Sequence, residues 1–439
     1  MWETCMEALY GEEAVRQTDM SRTYYRAYWR LLPLLLICYL VAYLDRVNVG
    51  FAKLQMLDAL RFDDAIYGLG SGIFFAGYFF FEVPSNLIMR RVGARKWIAR
   101  IMLTWGVISA AMIFVQTPMQ FYVARFLLGA AEAGFAPAIM YLLTLWFPAR
   151  YRGRAMSIYV MGAPLAFVVG GPISGYILHA FSGNAHMAAW QWLFLIEAIP
   201  AVVLAFVVLA FLDDEPAHSR WISEDERSNV LAEIRAENAG KIDHPSVRAF
   251  LANRKLWWFC AIFFCLIMGL YALGFWMPSL IKRSGVIDPF SIGLYSAVPN
   301  VVAAIALFVS NRSADRTGGR RAHFALFMLI GAVGLATSMW LSAGPIITTL
   351  CLSIAAAGVY SCVALFWALP TSLFVGASVA AALAFINSVG NIAGFISPYL
   401  VGMLNVMIGH AEVGMYVISA FLVLGAAMTM LLPKTLDDQ

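Results

Sequence analysis

Charge is what this sequence has little of. Only 13% of its 439 residues are Asp, Glu, Lys or Arg, 62% are hydrophobic, and the mean hydropathy is +0.76. A soluble domain carries about 25% charged residues. A chain this long with so few is a membrane protein, not a soluble enzyme and not a nucleic-acid binder. Period-two alternation is absent too, since the apolar runs continue for 20 or more residues. That excludes barrel strands and leaves helices. Cysteine is scarce and unclustered. The six (Cys5, Cys38, Cys260, Cys265, Cys351 and Cys362) fall mostly inside apolar runs without metal-ligand spacing. They read as small core residues, and neither a metal nor another cofactor is expected. A cleavable signal peptide is missing as well, because Met1–Met20 is polar and acidic, and Met20-Ser-Arg-Thr reads as a more natural start than Met1.

What is present is length without polarity. Apolar segments fall at roughly 29–52, 67–89, 97–117, 119–147, 155–180 and 190–212, then at 256–281, 288–310, 322–343, 345–369, 377–405 and 413–432. A bilayer needs roughly 20 apolar residues per helix, so twelve spans follow. The expected architecture is all-α: a tail 1–28, a six-helix bundle 29–212, a linker 213–254 with a surface helix, a second six-helix bundle 255–432 and a tail 433–439. Within the linker, Ser223-Glu-Asp-Glu-Arg227 has the form of a capping box. With both termini inside, 24 of the 30 Lys and Arg fall in cytoplasmic segments and four (Lys53, Arg61, Lys282, Arg283) outside, which predicts an N-in, C-in topology.

An internal repeat is legible. Asn86-Leu-Ile-Met-Arg-Arg-Val-Gly93 after the second span and Asn311-Arg-Ser-Ala-Asp-Arg-Thr-Gly318 after the eighth are 225 residues apart, and Pro172 and Pro398 are 226 apart. Two parallel six-helix halves produce such a pattern, with a substrate site between them near the midplane.

Charge inside the membrane is costly and therefore informative. Six ionisable side chains fall within spans: Asp45, Arg46, Glu82, Arg125, Glu132 and Glu197. At 1.5 Å per residue, Asp45 and Arg125 both lie about 9 Å below the outer surface. Glu132 follows Arg125 at i+7 on the same helix face. Spans 1 and 4 can thus turn two acids and two bases toward one cavity. An entering carboxylate would compete for an Arg, whose planar fork suits it, and free an acid to take a proton. A permanent salt bridge tying the two spans together is the plainer alternative.

Glu82, in Phe81-Glu-Val-Pro84, is expected near the Arg90/Arg91 turn as a gate or loop anchor, and Glu197 is expected to pair elsewhere in the N-terminal half. The second half carries no charge inside its spans, only polar candidates such as Tyr271, Asn300, Ser361, Trp367, Asn387, Ser388 and Asn391. Asn387 and Asn391 share a helix face, which helix packing explains equally well. Gly162, Gly170, Gly171, Pro172 and Gly175 mark the fifth span as a close-packing or bending helix.

These stretches resemble the major facilitator superfamily, and within it the anion:cation symporter branch. The resemblance is carried by Tyr43-Leu-Asp-Arg-Val-Asn-Val-Gly-Phe-Ala52, Phe81-Glu-Val-Pro-Ser-Asn-Leu-Ile88, Gly93-Ala-Arg-Lys-Trp97, Arg125-Phe-Leu-Leu-Gly-Ala-Ala-Glu-Ala-Gly134, Trp146-Phe-Pro148 and Phe366-Trp-Ala-Leu-Pro-Thr371. It covers nearly the whole chain and is similar to carriers of tartrate, phthalate, hydroxyphenylacetate and sugar acids. It implies proton-coupled uptake of a small organic anion by a monomer in the inner-membrane bilayer. Asp45 and Glu132 would carry protons, Arg46 would contact the anion, and Arg125 would pair with the acids. Tyr43, Tyr78, Trp367, Asn387 and Asn391 are the lining candidates, while Glu82, Gly93, Arg95, Asp315, Arg316 and Gly318 are the gating ones. One departure stands out. The superfamily's loop signature has an Asp before Arg-x-Gly; the second copy keeps it as Asp315, whereas the first has Arg90, so Glu82 is the expected substitute. An exporter or antiporter on the same fold is the alternative. A membrane enzyme or sensor is disfavoured, because no nucleophile or metal motif lies in the spans. The identity of the anion is not legible.

Overall fold

A computed structural model describes residues 2–219, 221–238, 253–341, 344–371, 378–409 and 412–432. Linker residues 239–252 and the tail with Lys434 lie outside the described residues. In apolar surroundings every backbone N–H and C=O must be satisfied internally, and the described chain is correspondingly helical: α1 Trp2–Leu60, α2 Asp64–Val92, α3 Ala94–Ala111, α4 Pro118–Glu132, α5 Phe135–Trp146, α6 Ala149–Val160, α7 Gly162–Ala180, α8 Ala189–Phe211, α9 Glu224–Asn238, α10 Arg254–Arg283, α11 Pro289–Thr317, α12 Arg320–Trp340, α13 Pro345–Thr371, α14 Ser378–Ile408 and α15 Glu412–Met430. Twelve helical segments among the described residues are long and apolar enough to cross a membrane. Five cysteines are free and buried; the side chain of Cys5 lies outside the described set.

Two expected spans are each two helices. The fourth breaks between α4 and α5 at Gly134, whose φ of 87° favours glycine. The fifth breaks at Met161, between α6 and α7. The capping box at the start of α9 forms as read, with Ser223 N–H donating to Glu226 Oε2 at 2.9 Å and Glu226 N–H to Ser223 Oγ at 3.3 Å.

Helices α1–α8 and α10–α15 make two halves that meet through α2 with α14, α7 with α11, and α1 with α10. Two of these contacts are copies of each other. A Cβ on Gly68 would stand 2.4 Å from the Pro398 carbonyl oxygen, and one on Gly293 would stand 2.2 Å from that of Gly171. Gly68 and Gly293 are 225 residues apart, as are the N-caps Asp63 of α2 and Asp288 of α11 and the turn glycines Gly93 and Gly318. The repeat is therefore a repeat of contacts as well as of sequence.

These glycine seats lie at the end of the bundle that holds the turns Leu60–Asp64 and Arg283–Asp288, here termed the loop end. Polar contacts reinforce it. Tyr67 donates to the Phe275 carbonyl at 2.8 Å, and Lys53 pairs with Asp64 at 2.9 Å while lying 3.6 Å from the Trp276 ring centre. Asn405 reaches across to Asp64 at 3.0 Å. A cleft of about 180 Å³ sits over them, lined by Lys53, Asp58, Asp64, Lys282 and Arg283 among others. Toward the opposite, linker end, α2 emerges from cover: Phe79, Phe80, Phe81 and Val83 are all exposed. At the loop end the two halves close on each other.

Candidate functional site

Consecutive helical residues point about 100° apart, because a turn takes 3.6 residues. Asp45 and Arg46 therefore cannot face each other, and each finds a partner on a different neighbour. Asp45, 3% exposed, turns toward α3 and accepts from the Ser109 hydroxyl and, at 3.0 Å, from the Asn48 amide. Arg46 turns toward α4 and grips Glu132, with Nε and Nη2 at 2.7 and 2.6 Å from one oxygen, Oε1. Glu132 is the last residue of α4, next to the Gly134 break.

Aromatic rings enclose the Arg46 guanidinium: Tyr43 at 5.0 Å, Tyr78 at 5.3 Å and Phe74 at 5.6 Å from its central carbon. Arg46, Tyr43 and Tyr78 are half-buried at bundle depth. From the other half, Tyr271 lies within electrostatic reach of Arg46 and packs tilted against Phe75 with ring centres 4.5 Å apart.

Arg125 is fully buried and differs from the expectation that it pairs with an acid. Its Nε donates to the Gly70 carbonyl at 3.3 Å, its guanidinium lies 4.9 Å from the Phe74 ring centre, and Nη1 and Nη2 have no hydrogen-bond partner among the described residues. It lies within electrostatic reach of Asp45 and Glu132. Phe74 thus touches both guanidiniums.

The remaining candidates divide. Trp367 packs tilted against Phe263 and edge-on to Phe366, with ring centres 4.8 and 5.2 Å away, while Asn387 and Asn391 are half-buried on α14. Glu82 is not at the Arg90/Arg91 turn. It is half-buried and within electrostatic reach of Arg46 and Tyr78, on the site side of α2. The acid that serves the first loop is Asp214, from just past α8. It accepts from the Arg95 N–H at 2.6 Å, and a Cβ on Gly93, at φ 96°, would stand 3.0 Å from it. Arg95 also donates to the Leu209 carbonyl. In the second copy Gly318 ends α11 in the left-handed region and Arg316 is exposed, whereas the Asp315 side chain lies outside the described residues. Sequence reasoning missed Ser109, Phe74 and Asp214. Only Asp214, in the acidic run Asp213-Asp-Glu215 closing the sixth span, had a usable signal.

The site so built is a buried set of two cations and two carboxylates between α1, α3 and α4, walled by aromatic rings, with no metal-holding group of His, Cys, Asp and Glu among the described residues. Residues 35–398 match the Major Facilitator Superfamily. The chain is 44% identical over 417 residues to the putative metabolite transport protein NicT of Pseudomonas putida, covering 95% of each chain. It is 44% identical over 414 residues to a putative tartrate transporter of Agrobacterium vitis, covering 93% of this chain and 94% of the other. A quinolone resistance transporter of Acinetobacter baumannii is 38% identical over 425 residues, 96% of this chain and 97% of that protein. The fold matches a solved bacterial homologue of the lysosomal transporter Spinster, with a TM-score of 0.76 at 16% identity, over 93% of this chain and 96% of that one. The chain belongs to the Major Facilitator Superfamily and is a multi-pass transporter of the inner membrane, not an enzyme.

Proposed function

We propose that this transporter takes up a small organic anion together with protons by alternating access. The observation that carries the proposal is the Arg46–Glu132 contact at 2.6 Å inside the aromatic enclosure. A substrate carboxylate competes for the Arg46 fork and displaces Glu132. A released carboxylate without a cation is unstable in a buried site, so Glu132 takes a proton. Asp45, held by Ser109 and Asn48 rather than by an arginine, exchanges the second proton with whichever side is open. Arg125 keeps both acids in a positive field while empty. Tyr43 and Tyr78 frame the anion from the first half, with Trp367, Asn387 and Asn391 on the second. The two bundles 29–212 and 255–432 rock about this site, joined by the linker 213–254, with both termini in the cytoplasm. Glu82 senses Arg46 from α2, and the turns at Gly93, Arg95, Asp315, Arg316 and Gly318 close the linker end. The protein works as a monomer. The likeness to a putative tartrate transporter supports an organic-anion cargo.

The test is uptake into proteoliposomes over a panel of dicarboxylates, sugar acids and aromatic carboxylates, with and without an inward proton gradient. Gradient-driven accumulation is expected; uptake blind to the gradient removes symport, and gradient-driven extrusion makes it an exporter, the reading that the likeness to a quinolone resistance transporter favours. Asp45→Asn and Glu132→Gln are expected to lose accumulation and keep exchange. Arg46→Ala removes charge-assisted hydrogen bonds of about 1.5–3 kcal/mol each, so affinity falls at least tenfold.

A further inference from the structure

The cleft at the loop end takes no part in the transport cycle proposed above, yet it gathers charge. Of the four cations that the sequence places outside, three line it: Lys53, Lys282 and Arg283. Only two carboxylates join them, Asp58 and Asp64. Both halves build the walls, with α1 and α2 on one side and Trp276 and Ser279 of α10 and Asn405 of α14 on the other. At about 180 Å³ the space is many times what a single water needs.

The lining leaves hydrogen bonds unmade. Trp276 is 2% and Asn405 8% exposed. The Trp276 Nε1–H, the Ser279 hydroxyl and Asn405 Oδ1 are all buried atoms without a partner among the described residues. Asp64 cannot serve the two donors, since it already accepts from Lys53 at 2.9 Å and from Asn405 at 3.0 Å. Lys53 itself is buried, its ammonium 3.6 Å from the Trp276 ring centre, and Lys282 donates to the Leu54 carbonyl across the seam at 2.8 Å. A buried donor without an acceptor costs free energy. A neutral guest would satisfy the donors and leave the excess positive charge. An ionised carboxylate answers both, because it only accepts and offers about four lone-pair sites.

We propose that this cleft is a second binding site, for a small carboxylate, which holds the loop end shut while it is occupied. Trp276 and Ser279 donate to the carboxylate, and Lys53 and Lys282 supply the charge. A hydroxyl elsewhere on the acid donates to Asn405 Oδ1. The direction of the effect follows from the walls. Groups from both halves meet here only while the halves touch, and a ligand that binds one of two states shifts the population toward it. Anion filling the cleft therefore opposes opening of this end, so uptake rises with anion and then falls.

The labelling arm of the test needs no transport; the uptake arm rests on the anion-uptake reading. A cysteine replacing Leu57, on the cleft wall, is labelled with a neutral maleimide in full-length protein that also carries Arg46→Ala, which disables the central site. Tartrate and inorganic phosphate are added at matched ionic strength. Tartrate is expected to slow labelling about elevenfold at ten times its Kd. Trp276→Phe with Ser279→Ala keeps a ring under Lys53 and removes both donors, so that Kd should rise at least about tenfold. No protection by tartrate, or equal protection in the double variant, overturns the site, and protection by phosphate as strong as by tartrate overturns the carboxylate assignment. Should Trp276→Phe fail to insert, Ser279→Ala alone makes the comparison. In proteoliposomes, wild-type uptake is expected to fall once external tartrate exceeds the cleft Kd, and the double variant to lose that fall with its KM unchanged. A wild-type plateau without a fall overturns the shutting role. Protein that takes up no tartrate at all counts against the transport reading, and labelling still decides the cleft.

Discussion

At the scale of single residues, the sequence was most informative where it was most anomalous. Asp45, Arg46, Arg125 and Glu132 stood out because charge in an apolar run is costly, and the structure brings all four to one place, with Arg46 half-buried and the other three buried. Their pairing was not legible, since helix phase depends on where each helix rotates against its neighbours. Ser109 could not be singled out from a span in which a lone Ser is ordinary. The N-cap Asp288 allows a sharper statement. Burial pushes its carboxyl up, but the Ser291 N–H and hydroxyl, at 2.8 Å each, and His179 at 2.6 Å outweigh that and hold it down at about 2. A carboxyl depressed on folding stabilises above its unfolded value, about 3.9, and loses that contribution as pH falls through about 2. Asp288→Ala is therefore expected to lower stability by about 1 kcal/mol at pH 8. Asn, an equally good cap, should restore most of it. Thermal unfolding checks both, and an Asp288→Ala variant as stable as wild type at pH 8 would show that another group governs the cap.

At the scale of elements, the helices themselves were readable from apolar length, whereas their breaks were not. Nothing in the residues 119–147 run announces that Gly134 adopts a positive φ, because a glycine is equally at home inside a membrane helix. The repeat was seen at its turns and prolines but not at Gly68, Gly293 and Gly402, whose meaning lies in what crosses them. A Cβ on Gly402 would stand 2.1 Å from the Asp64 carbonyl oxygen, and Gly293 is equally tight against Gly171. Backbone cannot yield as a side chain can. Gly293→Ala and Gly402→Ala should each hold the loop end apart and slow transport, while the fold stays intact. A cysteine introduced in place of Leu54, 6% exposed beside the closed seam, reports this. Its maleimide labelling should rise in both variants, and unchanged labelling would mean that closure does not depend on these seats.

At the scale of the whole molecule, composition alone gave the membrane and the twelve spans, and the repeat gave the two halves. That the loop end is shut was beyond the sequence, because the closure depends on which backbone crosses each glycine and the residue pattern does not give that. Nor did the sequence tell what the linker does. The structure docks α9 across the first half by charge. Arg26 and Thr23 of α1 hold Glu226, Arg150 pairs with Glu233 at 2.9 Å, and Arg152 pairs with Glu237 at 3.0 Å, while Trp221 stacks on Trp146 with ring centres 5.4 Å apart.

The two ends of the molecule are thus fastened by different forces, and dissolved salt tells them apart. The α9 pairs are partly solvated, and exposed pairs contribute about 0–1 kcal/mol each and weaken as the screening length shrinks from about 10 Å at 0.1 M to about 3 Å at 1 M. At the loop end the backbone packed on glycine carries no net charge to screen, and the Lys53–Asp64 pair beside it is buried on the lysine side, where salt screens it far less. Raising ionic strength should expose α9 to protease, with no rise in maleimide reaction at the Leu54→Cys position. A cell that swings between dilute and concentrated surroundings would then loosen the linker without breaching the seal against solute leak.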